Sequence, residues 1–154
     1  MKFQVMAIML VTVLLLACGS NHMEQPEESR LLSVVTTVSP ITSIVENVGG
    51  ERIQVRGIIP EGANSHTFDP PPSTARVLAD ADLFIANGLY LEEPAIEMFN
   101  ANHGDGARAV LLGELAIAPE EWQFDFSFPE ANGQPNPHLW PDPILALKYA
   151  GIVR

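Results

Sequence analysis

Two of the four histidines stand in settings that suit metal ligation. His66 falls in Gly62-Ala63-Asn64-Ser65-His66-Thr67-Phe68-Asp69-Pro70, and His138 in Asn136-Pro137-His138-Leu139-Trp140-Pro141-Asp142-Pro143. Neutral imidazole binds zinc at about 2.0–2.1 Å, and a loop stiffened by proline loses less entropy on doing so. The second ring nitrogen must be oriented by a carboxylate or carbonyl, and Asp69 and Asp142 are close enough in sequence to serve. Spacing does not single the pair out. The two lie 72 residues apart with no HExxH-type pairing, and a loop histidine is more often a capped surface residue than a ligand. His22, in a polar acidic stretch, and His103, in an Asn-His-Gly-Asp turn, read as ordinary surface residues. No Ser-His-Asp order, nucleotide-binding glycine loop or glutamate beside a histidine pair occurs, so the chain reads as a binding protein and not an enzyme.

Such histidines need a scaffold, and the chain supplies one by alternating strands and helices. Leu31 to Thr37 is β-branched and almost continuously apolar, as buried parallel strands are. Ser39 offers a helix N-cap with Pro40 at the first helical position, and Ile41, Ile44, Val45 and Val48 form one apolar face ended by Gly49-Gly50. Arg52 to Ile59 is the second strand and Pro60 to Pro72 a turn-rich loop. A helix opens near Ser73, Leu83 to Ala86 is the third strand, Glu92 to Asn100 a helix, and Ala107 to Leu112 the fourth strand. Residues 118–137 have no clear period, and a last helix starts at Pro143, with Leu145, Tyr149 and Ile152 as a stripe that little remains to cover. The fold class is therefore α/β: one lobe with a roughly four-stranded parallel sheet flanked by helices. Val34, Val35, Ile58 and Ile85 should be buried in it, and ligands should bind beyond the carboxyl ends of its strands. Both histidines sit at that edge.

Composition narrows the partners. Lys plus Arg number 8 against 19 Asp plus Glu, a net charge of −11, which leaves no basic patch for nucleic acid and suits a cationic ligand. The only cysteine, Cys18, excludes an internal disulfide and a thiolate-rich zinc site. Lys2 followed by the apolar run Val5 to Leu16 reads as a signal peptide, too short to span a bilayer comfortably. Its end, Leu15-Leu16-Ala17-Cys18-Gly19-Ser20, resembles the bacterial lipobox, which makes Cys18 the lipidated first residue of the mature protein. Residues 1–17 are thus the expected signal peptide, 18–30 a flexible polar tether, and 31–154 the α/β lobe.

Three stretches carry a wider resemblance: Pro60-x-Gly-Ala-x-x-His66-x-x-x-Pro70-x-Pro72-Ser73, then Ala79-Asp80-Ala81-Asp82-Leu83 with Asn87-Gly88-x-x-x-Glu92, then Asn136-Pro137-His138-x-Trp140-x-Asp142-Pro143. In order and context they resemble the solute-binding proteins of zinc and manganese ABC importers, over essentially the whole mature chain. The resemblance implies that His66 and His138 are the metal ligands of an N-terminal lobe, that the cargo is Zn2+ or Mn2+, and that the protein is held by a lipid anchor in the periplasm or at the cell surface to serve an ABC permease. It also implies two lobes joined by a long helix, with further ligands from the second. This sequence stops at Arg154, at the start of what looks like that linker helix, so it is expected to hold the N-terminal lobe with the C-terminal lobe absent. It lacks the His-rich loop common in zinc members. Two other classes compete: a zinc hydrolase, which needs a third ligand and a general base, and an adhesin-type lipoprotein with incidental histidines.

Overall fold

The computed structural model describes residues 30–154, and Leu31–Arg154 cluster as one unit. Cys18, the signal segment and nearly all of the tether lie outside the described residues. Four parallel strands build the sheet: β1 (Leu32–Thr36), β2 (Ile53–Gly57), β3 (Leu83–Ala86) and β4 (Arg108–Leu111), in the order β2-β1-β3-β4. The expected α/β class and strand number are both found. β-Branched side chains alternate across the pleat, so Val34 and Ile85 face one core and Val35 and Phe84 the other. Helix α1 (Ser39–Gly49) packs on the first face, with α4 (Leu112–Ala116) and α5 (Pro143–Val153); α2 (Thr74–Ala79) and α3 (Glu93–Asn102) cover the second.

Several local expectations are corrected. Ser39 is not the cap of α1. The chain leaves β1 still extended through Val38, whose carbonyl accepts the Thr42 N–H, so the helix starts one residue earlier and keeps Pro40 in its first turn. Ile58, expected within the second strand, lies one residue past the end of β2 and is only half-buried, while Val34, Val35 and Ile85 are buried as expected. Leu112 to Ala116 form a five-residue helix directly after β4, too short to announce a period. The last helix is not left bare: Tyr149 is fully buried and Leu145 and Ile152 pack on the core, and the exposed apolar residues are Ile144 and Leu147. Among the described residues no helix is long and apolar enough to cross a membrane.

Asp142 caps α5 with its carboxylate, accepting from the N–H of Ile144 at 2.7 Å and of Leu145 at 3.4 Å, and Pro143 follows where its missing N–H costs nothing. Asp142→Ala is expected to lower stability by about 1 kcal/mol, a few degrees in Tm by thermal melting, since it strips the cap from the helix that closes the lobe.

Candidate metal centre

Beyond the carboxyl ends of β1 and β3, where the chain order reverses across the sheet, two loops meet. The first carries His66 in a single 3-10 turn, Ser65–Thr67, whose N-cap Asn64 accepts the His66 N–H at 3.0 Å. The second repeats the device: Asn136 Oδ1 accepts the His138 N–H at 2.9 Å. These Asx turns set the backbone so that both rings point into one space. His66 Nε2 and His138 Nε2 lie 3.2 Å apart. Two nitrogens on a tetrahedral zinc, each at about 2.05 Å, are separated by about 3.3 Å, so the pair already has the bite of a zinc chelate.

Aromatic rings close around the pair. Phe128 lies 5.5 Å from the His66 ring and 5.6 Å from that of His138, and Trp140 packs edge-on at 5.3 Å from His138. Partial burial, and then the neighbouring His66, push the His138 pKa below the ordinary histidine value, with Asp125 opposing. His138 thus stays neutral, and able to ligate, to more acid pH than a free imidazole. Following the His138 ring by NMR as pH falls from 8 to 5 should place its midpoint under about 6.5; a midpoint above that value would contradict the packing described.

The expected orienting carboxylates are not used. Asp142 is spent on the helix cap, and Asp69 is exposed. The group on the second ring nitrogen is Asn136, whose Oδ1 lies 2.8 Å from His138 Nδ1 and whose Nδ2 donates to Asp125 Oδ2 at 2.7 Å. Asp125 Oδ1 accepts the N–H groups of Ser127 and Phe128, and these bonds, that from Phe128 foremost, hold its carboxyl below the ordinary range. A signal for Asn136 existed in the sequence, since asparagine stands two residues before both histidines.

Beneath the loops lies a buried polar network. Glu92, 1% exposed, accepts from the Thr37 hydroxyl at 2.6 Å and from the N–H groups of Asn87 and Gly88 at 3.0 Å each. Burial raises its pKa against the pull of those hydrogen bonds. The Asn87 amide donates to the carbonyl of Pro137, adjacent to His138, at 2.9 Å, and its oxygen accepts the Tyr149 hydroxyl at 2.7 Å. Next to it Gly88, Leu89 and Tyr90 all have positive φ (76°, 52° and 65°), a left-handed turn held by Glu114, which accepts the Leu89 N–H at 2.8 Å. Any side chain at Gly88 would run into the Glu114 carboxylate.

Among the described residues no third His, Cys, Asp or Glu completes a metal cluster with the pair. The hydrolase reading needs that third ligand, so it gains no support from the geometry.

The chain is similar to known proteins in sequence and in fold. The family described as zinc-uptake complex component A, periplasmic, matches residues 34–154. The manganese-binding lipoprotein MntA of Halalkalibacterium halodurans is 31% identical over 147 residues, covering 96% of this chain and 46% of that protein. The manganese ABC transporter substrate-binding lipoprotein ScaA of Streptococcus gordonii is 34% identical over 143 residues, 93% of this chain and 46% of its own. The periplasmic zinc-binding protein TroA of Treponema pallidum superposes with a TM-score of 0.69 at 24% identity, over 80% of this chain and 42% of that one, which shows a shared fold. The chain spans about half the length of the curated relatives it matches.

Proposed function

The chain belongs to the zinc-uptake complex component A family, and from that membership and the histidine geometry we propose that it binds a divalent transition metal, zinc or manganese, outside the cytoplasmic membrane for delivery to an ABC permease. The observation that carries the reading is the Nε2–Nε2 separation of 3.2 Å between His66 and His138, which come from loops 72 residues apart in sequence. His66 and His138 are the ligands, and the cation is cargo. The role is binding and hand-over, not catalysis. The relatives named for manganese and the neighbour named for zinc both fit a pair of imidazoles, which favours zinc modestly over harder cations.

Two imidazoles fill half of a tetrahedral shell and leave water in the rest. Calorimetric titration of the chain with zinc is therefore expected to give a Kd on the order of micromolar or weaker. A nanomolar site in a monomer would mean that further ligands lie within the chain. The absence of any heat would overturn the reading in favour of incidental histidines.

Cys18 is the proposed lipidation site, anchoring the protein to the membrane. Cys18→Ala should release the protein into the soluble fraction or leave the signal segment uncleaved. Unchanged membrane retention and processing, seen on fractionation and immunoblotting, would count against the anchor.

A further inference from the structure

The amide of Asn136 is clamped from both sides. Its Oδ1 faces the His138 N–H, which only donates, and its Nδ2 faces the Asp125 carboxylate, which only accepts. Those two neighbours fix which end of the amide points at the ring, a choice that geometry alone leaves open. The end so fixed is the oxygen, and it lies 2.8 Å from His138 Nδ1. An amide oxygen cannot donate, so Nδ1 must carry the proton.

We infer that Asp125 and Asn136 are a positioning pair that locks His138 in the Nδ1–H tautomer, leaving Nε2 as a bare lone pair aimed at the metal. The inference rests on the reading of His66 and His138 as ligands. Asp125 is itself held by the N–H groups of Ser127 at 2.7 Å and Phe128 at 3.0 Å, so the carboxylate that orients the amide also seats the ring packed against both histidines. His66 is built differently. Asn64 takes its backbone N–H, and the contact recorded for its ring nitrogens among the described residues is the one to His138. In the metal-free chain His66 therefore donates its Nε2–H across the 3.2 Å gap to His138. A cation replaces that shared proton, and His66 alone has to change tautomer. One ligand is fixed in advance and the other adapts.

The isosteric change Asp125→Asn separates positioning from loop support. The new side chain keeps an oxygen for the Ser127 and Phe128 N–H groups and presents its NH2 to Asn136. The Asn136 amide must then turn over to keep its partner, and an NH2 turned toward His138 Nδ1 drives the proton to Nε2. A residue that served only the loop would be rescued by this variant. Histidine 15N shifts in the full chain, labelled at histidine and free of metal, read the tautomer directly. The expected result is Nδ1–H for His138 in the unaltered chain, and Nε2–H or a mixture in Asp125→Asn and in Asn136→Ala. Zinc affinity should weaken roughly 10–100-fold in both variants, the range typical for loss of an orienting partner. His138 found as Nε2–H in the unaltered chain overturns the inference without any variant having to fold. So does an unchanged tautomer in folded Asp125→Asn. A locked Nδ1–H tautomer in a chain that takes up no zinc would instead refute the ligand reading and leave the positioning pair standing.

Discussion

Alanine at either His66 or His138 is expected to remove zinc binding from this chain, with a loss well beyond the 10–100-fold typical of an orienting partner. Each imidazole supplies one of two protein ligands, so a single substitution leaves one nitrogen and water. His66 is the cleaner test. It is exposed and its side chain supports no buried partner, so His66→Ala should melt as the unaltered chain does while losing its titration heat. His138 is half-buried against Trp140 and Phe128, and its removal adds a modest packing loss. Calorimetry and thermal melting on the same samples check both. Retention of binding in either variant would show that the pair is not the site.

The second large effect is structural. Glu92→Ala is expected to destabilise the lobe by about 3–5 kcal/mol, because it strands the Thr37 hydroxyl and the N–H groups of Asn87 and Gly88 in a dry interior. For a unit of this size that is on the order of 10–20 °C in Tm. Glu92→Gln keeps one acceptor but sets an NH2 against the Gly88 N–H, so it should fall between the two. The pH dependence has a definite sign. Burial raises the Glu92 pKa in the folded chain, so its share of stability is fully present below about pH 4.5 and is lost as pH rises through the folded value. Urea midpoints collected from pH 4 to 8 should show this component in the unaltered chain and lack it in Glu92→Gln.

The contrast between the two sets of residues explains what sequence could reveal. β1 and β3 are legible because their apolar runs are largely buried on both faces, and the last helix because Asp142 and Pro143 mark its start. Ile58 misleads because an apolar run does not mark where the strand ends, and β2 stops at Gly57. The histidines attract notice through their loops, yet nothing in a spacing of 72 residues says that the rings meet. Their meeting depends on a long-range bond, from the Asn87 amide after β3 to the Pro137 carbonyl beside His138. Nothing in the sequence says that Asn87 and Tyr149 are partners. Their bond joins positions 62 residues apart, and it is visible only once the helix has docked.

That last bond sets an order of assembly. The hydroxyl of Tyr149 holds Asn87, and Asn87 in turn holds the carbonyl beside His138. A chain emerging from its N-terminus can pair β1, β2 and β3 long before residue 149 exists, but it cannot seat the His138 loop. Closing such distant contacts is slow compared with forming local turns, so the pair of imidazoles is completed late, when α5 docks. The spacing of the two imidazoles therefore depends on a docked α5 and does not belong to the two loops alone.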